Sequence, residues 1–418
     1  MIVERRTFII GTIGLAAIVL GLICSKSLVF WCLAALLLLL CIYSGYKENK
    51  IINPYYLFAI TPFTLLIYRN VSETYMRDLE LKTWIIAVLN IMAFVFAMLI
   101  MPNVKEDLTS EKKGLETNSL EFHAALLALF GIGPMILYGI FGVAIPFYSI
   151  FGLLSVPALC CAIVSKNKEL IFFLMLLTIL TWTNNVSKST ILTTCLCFVI
   201  CYEFYFVKSQ KQKKRLIAFC MLCMIIILLS FTFANQARGV KTSEDQLNYY
   251  VKYGNVKWDG LTALFMPYMY LETPWTNLQY VMNTQDTRTY GLWLVKPFLS
   301  YLQIDGNFEK MYQLTPMSSF NTFTFIACNF KDFGLFGSIF SSIILGCYVK
   351  WVYSRACQTK NPLDVACYVY VAQAVLEMFF SNHFFQQSYP FTIVLLVWLY
   401  KKIMRIHLRM RNWEHEMR

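Results

Sequence analysis

Apolar stretches long enough to cross a bilayer recur along the whole chain, at 8–24, 28–44, 51–67, 83–101, 122–142, 148–165, 170–186, 189–207, 216–234, 333–352, 363–381 and 390–406. Each approaches the length that a hydrocarbon core of ~30 Å demands of a helix. Composition points the same way: 58% of the 418 residues are apolar and 14% charged, with a mean hydropathy of +0.56. A soluble chain carries roughly 25% charge, so a water-soluble particle built from this sequence could not cover itself. Soluble enzyme, secreted disulfide scaffold, disordered protein and nucleic-acid binder are thereby excluded. The expected fold is all-α and polytopic, an integral membrane protein of about twelve transmembrane helices.

The net charge of +12 then calls for a topological explanation. With Met1 inside, the cytoplasmic loops collect Arg5, Arg6, Lys47, Lys50, Lys105, Lys112, Lys113, Lys166 and Lys168, the run KSQKQKKR at 208–215, Lys350, Arg355 and Lys360, and the tail from Lys401 to Arg418. That places 23 of 36 basic residues inside, against five (Lys26, Arg69, Arg77, Lys82 and Lys188) in short outer loops. Short loops are the ones that set orientation, so both termini are expected in the cytoplasm. The opening MIVERR and its apolar run resemble a signal peptide but lack a small-x-small cleavage site, and a second span follows at once; a retained first span is expected.

Three regions follow: 1–234 with spans one to nine, a large extracytoplasmic loop at 235–332, and 333–418 with spans ten to twelve and a basic cytoplasmic tail. A loop of about a hundred residues is uncommon without a function. Within it, GLTALFMPYMYL at 260–271 is apolar, too short to span, and interrupted by Pro267 and Pro274, which suggests a re-entrant or interfacial helix. The stretch 289–304 is expected along the membrane surface.

Much chemistry is missing. Nearly all fourteen cysteines sit inside spans, where they serve as small hydrophobes. Only Cys328 falls in the outer loop, so no disulfide framework can form there. His123, His383, His407 and His415 make no metal-ligand spacing. Intramembrane charge is sparse, with Glu377 well inside a span, Glu203 near the cytoplasmic end of another and Lys188 at an outer edge. An ion-coupled transporter usually needs several buried ionisable groups.

The outer loop carries what chemistry there is. Arg238 and Lys241 lie where the chain leaves the membrane, and Arg288 further on, in NTQDTRTYG. Guanidinium groups at headgroup level suit phosphate or pyrophosphate through bidentate bonds; they also suit lipid phosphates or loop salt bridges. Aromatic density is high, including Tyr249, Trp258, Tyr268, Tyr270, Trp275, Tyr280 and Trp293. Such faces stack on sugars, and they also form an interfacial belt. The amides Asn277, Gln279, Asn283 and Gln285 beside them favour sugar hydroxyls. Finally, SSFNTFTFIACNFKDFGLFGSIFSSIILG at 318–346 runs from polar Asn321 and Thr322 through Lys331-Asp332-Phe333-Gly334 into a span with Gly337 and Gly346. Small residues there let helices approach closely. Asp332 is either a charge favoured by the helix dipole or a site carboxylate.

The pattern N-T…D-F-G-x-x-G…G before a late span resembles the signature region of Wzy-type bacterial oligosaccharide repeat unit polymerases. The early NPYYLFAITPF at 53–63 and the long outer loop opening near Arg238 are similar too. The step Ser187-Lys188-Ser189 resembles a place where many members carry arginine, so its lysine is a departure. The resemblance implies transfer of a glycan from undecaprenyl pyrophosphate onto a sugar hydroxyl of another lipid-linked repeat unit, at the outer face of the bacterial inner membrane. On that basis Asp332, Arg238 and Arg288 are the expected catalytic residues. Lys188, Lys241, Tyr270, Trp275, Asn277, Asn321 and His383 are the expected substrate-binding ones. No metal, cofactor, nucleotide sugar or nucleic acid is implied. Implied partners are the lipid-linked oligosaccharide, membrane lipids, and chain-length regulator and flippase proteins. The rival expectations are an O-antigen ligase-like transferase and a lipid-linked oligosaccharide flippase or other transporter. Transferases with polyprenyl monophosphate donors usually carry acidic residues in the first outer loop, and Ser25-Lys26-Ser27 has none.

Overall fold

The structure is a computed structural model. It describes residues 27–68, 79–102, 117–141, 148–185, 188–237, 248, 262–284, 288–292, 295, 299, 322–384 and 388–416. Among them every regular element is helical and no strand occurs. In chain order the helices are α1 Ser27–Lys47, α2 Pro54–Phe58, α3 Ile60–Leu66, α4 Leu81–Ile100, α5 Thr117–Gly131, α6 Gly133–Phe141, α7 Tyr148–Phe151, α8 Ser155–Ser165, α9 Lys168–Asn185, α10 Lys188–Cys201, α11 Gln210–Ala237, α12 Thr262–Asn283, α13 Phe325–Thr359, α14 Pro362–Glu377 and α15 Tyr389–Glu416. Four described segments are long and apolar enough to cross a membrane: Val29–Lys47, Leu81–Ile100, Ser119–Leu137 and Phe325–Thr359.

Every expected span from 28–44 onward overlaps helix, and the first, 8–24, lies outside the described residues. The differences concern breaks and ends. The stretch 51–67 is two short helices joined at Ala59, and 122–142 is divided at Ile132, between Gly131 and Gly133. The stretch 189–207 ends in a π turn at Tyr202–Phe206. Pro267 and Pro274 were expected to interrupt the chain, yet α12 runs for 22 residues through both. The span expected at 333–352 is the middle of a 35-residue helix.

The chain divides into two compact units, one formed by Met1–Val104, Thr232–Tyr353 and Ala374–Gln387, the other by Lys105–Phe231, Ser354–Gln373 and Ser388–Arg418. In the first, α1 packs on α2, α3 and α4, and α12 on α3 and α4. Asn53 builds the α2 start: its Oδ1 accepts from the Tyr55 and Tyr56 amides at 3.1 and 3.0 Å, while its Nδ2 donates to the Gly45 and Lys50 carbonyls. A cap of this kind stabilises a helix by about 1 kcal/mol. Phe58 stacks on Phe94 with centroids 4.2 Å apart, and Phe325 closes the cluster at about 6 Å from each. Where α4 meets α13, a Cβ on Gly346 would collide with the Phe94 carbonyl. One polar seam runs beside it: Asn90 Nδ2 donates to Ser338 Oγ at 3.2 Å, and Ser342 Oγ donates to Asn90 Oδ1 at 2.7 Å. Gly337, by contrast, faces the Phe333 side chain.

In the second unit α8 packs on α5, α9 and α10. Cys160, Cys197 and Cys201 fill the α8–α10 contact, with Cys160 Sγ 3.5 Å from each of the other two. Asp364 ties three segments together, accepting from Arg355 Nε at 3.1 Å, Thr359 Oγ1 at 2.9 Å and Lys401 Nζ at 2.8 Å.

Candidate functional site

The motif Lys331-Asp332-Phe333-Gly334 falls inside α13, and its glycine is where the helix breaks. Gly334 has φ 68° and ψ −161°, a combination open essentially to glycine alone. The break interrupts the helical hydrogen-bond ladder. The Lys331 carbonyl, in the turn before it, accepts the Thr289 N–H at 3.2 Å. The Thr289 hydroxyl donates to Asp332 Oδ1. Both residues are buried, Asp332 only 2% exposed. These two bonds seat the 288–292 segment against the break.

The consequence is the placement of Arg288. A Cβ on Gly334 would lie 2.7–2.8 Å from the Arg288 Cζ and both terminal nitrogens. The guanidinium therefore rests flat on the bare glycine, and Arg288 is otherwise exposed. A charged fork held over a gap in a helix can meet an anionic group bidentately. One turn further, Gly291 (φ 88°) brings the chain to within contact of the Phe333 ring.

A second polar group lies at the start of α13. The chain entering α13 pairs with the residues just past the end of α14: Phe323 N–H donates to the Phe380 carbonyl and Phe325 N–H to the Met378 carbonyl, both at 2.9 Å. Asn277 of α12 donates to the Thr322 carbonyl at 2.7 Å. Asn382 Nδ2 donates to the Phe325 carbonyl at 3.1 Å and to Asn329 Oδ1 at 3.3 Å. Next to it, His383 Nε2 meets Glu377 Oε2 at 2.6 Å, which orients the imidazole.

The structure thus brings together Asp332 and Arg288, and places Asn277 and His383 around the start of the same helix. Trp275 is fully buried, its Nε1 donating to Thr64 Oγ1 at 3.3 Å, and so locks α12 onto α3. Tyr270, one turn earlier on α12, is half-buried. Three of the amides that the sequence suggested for sugar hydroxyls bond to protein groups: Asn277 donates to the Thr322 carbonyl, Gln279 accepts from the Glu80 amide at 2.7 Å and Asn283 donates to Glu80 Oε1 at 2.9 Å. Lys188 opens α10 in the second unit, its side chain outside the described part. Arg238, Lys241, Asn321 and Gln285 lie outside the described residues.

Sequence reasoning did not single out Thr289, Asn329 or Asn382. Thr289 stands beside Arg288 with no distinguishing pattern, and its bond to Asp332 joins positions 43 residues apart. Glu377 was visible as an intramembrane charge, but its partner His383 lies beyond the helix end. No family model, no curated protein and no solved structure matches this chain.

Proposed function

We propose that the chain is a membrane glycan transferase that polymerises lipid-pyrophosphate-linked oligosaccharide repeat units into a surface polysaccharide, at the outer face of a bacterial inner membrane. The observation that carries this reading is Arg288 held over Gly334 by Thr289 and Asp332, inside the motif that resembles the polymerase signature. About twelve spans, cytoplasmic termini and an outer loop at 235–332 belong to the same reading and rest on the 23-to-five distribution of basic residues.

The reaction breaks the bond between the donor sugar's anomeric carbon and the pyrophosphate oxygen and forms a bond to an acceptor hydroxyl, which gives up its proton. Undecaprenyl pyrophosphate leaves as the anion. A leaving group of this kind asks mainly for position and charge. Arg288 supplies positive charge, with Arg238 and Lys241 from the same loop. Asp332 acts as a positioning residue: its carboxylate, accepting from Thr289, sets the segment that carries Arg288. His383, oriented by Glu377, is the group suited to take the acceptor proton.

A deletion strain tests this. It should accumulate single-unit glycolipid in place of a polymer ladder; wild-type protein should restore the ladder and an Arg288→Ala variant should not. An unchanged ladder in the deletion strain would exclude the polymerase reading, and loss of glycolipid from the outer face altogether would favour the flippase instead.

A further inference from the structure

We propose that Cys160, Cys197 and Cys201 bind one Cu(I) ion, held by sulfur alone between α8 and α10. The proposal does not depend on what reaction the chain carries out.

Burial of a cysteine as a small hydrophobe explains why a thiol lies inside a helix contact. It does not explain why three thiols meet at one point. Cys197 and Cys201 stand four residues apart on α10 and so share one face of it, one turn from each other. Cys160 comes from α8, the helix packed on that face. Its Sγ lies 3.5 Å from Cys197 Sγ and 3.5 Å from Cys201 Sγ, and all three sulfurs fall within 4.8 Å of one another. Thiolates around a metal at ~2.3 Å are themselves about 3.8–4.0 Å apart, a spacing that the observed distances bracket. Among the described residues, no other group of three histidine, cysteine or acidic side chains converges in this way. All three thiols are free and 0% exposed.

The helix that carries two of them changes its winding at the cluster. Directly after Cys201 the chain opens into the π turn Tyr202–Phe206, a rare geometry that recurs at functional sites. Its far end meets the end of α8: Lys166, the left-handed residue that closes α8, sets its ammonium 6.0 Å from the Phe206 ring centroid. The cluster therefore sits near one end of the helix pair. Cys160 is six residues from Lys166, about 9 Å of helix, and Lys166 is exposed. On the topology proposed above, that end faces the cytoplasm, with the basic run 208–215 beside it. A reducing compartment keeps the thiols free and copper monovalent.

The ligand atoms select the ion. Thiolates favour soft metals, Cu(I) and zinc first among them. Structural zinc takes four protein ligands, and catalytic zinc takes three and a water. Here three atoms converge. Glu203, buried two residues after Cys201, is not among them, and the cluster opens onto no solvent that would supply a fourth ligand. Cu(I) is satisfied by three sulfurs. As it binds, two thiols give up their protons and become thiolates, while the third sulfur coordinates as the thiol. The complex then carries one negative charge, toward the end of the helices where Lys166 lies.

The test uses the full-length protein in lipid nanodiscs, titrated anaerobically with Cu(I) alone against a Cu(I)-specific chelator, and with Zn²⁺ in a parallel series. Wild type should bind one Cu(I) per chain, gain a thiolate-to-copper charge-transfer absorption, and unfold at a higher temperature when loaded. Cys160→Ala, Cys197→Ala and Cys201→Ala should each lose affinity by more than the about 10–100-fold that removing an outer-shell partner costs. Melting of the metal-free proteins shows which variants fold, and any one that does carries the test. Cys41→Ala removes a buried cysteine of α1, in the other compact unit, and should bind as wild type does. Absence of Cu(I) binding to wild type, or undiminished binding by the folded alanine variants, would overturn the site. Tighter binding of Zn²⁺ than of Cu(I) through the same three cysteines would overturn the assignment of the ion.

Discussion

Replacing Gly334 by alanine probes the candidate site through a single methyl group. Two independent effects act. The backbone at φ 68° and ψ −161° lies in a region that side chains other than hydrogen avoid, and holding a residue there costs about 1–3 kcal/mol. The new Cβ would also stand 2.7–2.8 Å from three guanidinium atoms of Arg288, where ordinary contact begins near 3.4 Å. The guanidinium must therefore retreat by roughly 0.7 Å, and displacements near 1 Å can reduce catalysis by about 100-fold. On the proposed reading Gly334→Ala should cut polymer formation by about 10- to 100-fold, equivalent to roughly 1.4–2.7 kcal/mol in the barrier. The assay is polymer ladder length and amount in a deletion strain, with membrane protein level measured in parallel. An Arg288→Ala, Gly334→Ala double variant separates the causes: if the methyl acts through the guanidinium, the double variant is no worse than Arg288→Ala. A wild-type ladder from Gly334→Ala at normal protein level would refute the reasoning, and so would strict additivity in the double variant.

Arg288→Ala should shorten or abolish the ladder at normal protein level, and Arg288→Lys should restore it only in part because the bidentate fork is lost. Asp332→Asn keeps an acceptor for the Thr289 hydroxyl and removes the charge. It should retain at least a tenth of the polymer if Asp332 positions Arg288, whereas complete loss at normal level would mean that the carboxylate itself reacts. Glu48→Gln removes the partner of the buried Lys350 ammonium. It should lower membrane accumulation by roughly 2 kcal/mol of stability, discounted from about 3–5 for a fully buried pair, and a Lys350→Met, Glu48→Gln double variant should recover it, as immunoblotting would read. Reporter fusions at Lys112, Lys213 and Lys402 should give a cytoplasmic signal and one at Asn255 an outer signal; a cytoplasmic Asn255 would overturn the orientation.

Hydropathy located the helices well because each buries its backbone bonds within one apolar stretch. It was silent on where they break. The interruptions at Ala59 and Ile132 leave solvation unchanged, so an average over 51–67 or 122–142 carries no trace of them. Gly131, Gly133 and Pro134 did offer a local signal for the second. Proline misled in the other direction. Pro267 and Pro274 suggested an interrupted segment, but α12 is enclosed along its second half by α3 and α4, through Trp275 and Gln279, and that packing carries the helix through. The start of α13 was hidden for a third reason. Residues 325–332 include Asn329, Lys331 and Asp332, which hydropathy assigns to water, while the fold buries all three.

That burial explains why the site was half legible. The residue types that the structure brings together were evident from the sequence: an arginine between 235 and 332, an acidic residue at a helix edge, a glycine two positions on. Their division of labour was not. A carboxylate close to a pyrophosphate would repel it, so an acidic residue in a pyrophosphate site must either react or be turned away from the anion. Here Asp332 is enclosed and accepts from Thr289, while the adjacent Arg288 comes to rest on Gly334 with its guanidinium toward the outside of the helix. The helix break is what permits both. With a side chain at 334 there is no seat for the guanidinium, and with an unbroken ladder the Lys331 carbonyl has no place for the Thr289 amide. Asp332, Gly334 and Arg288 therefore act as one unit, in which glycine opens the helix, aspartate holds the neighbouring segment, and the arginine that segment carries is left exposed.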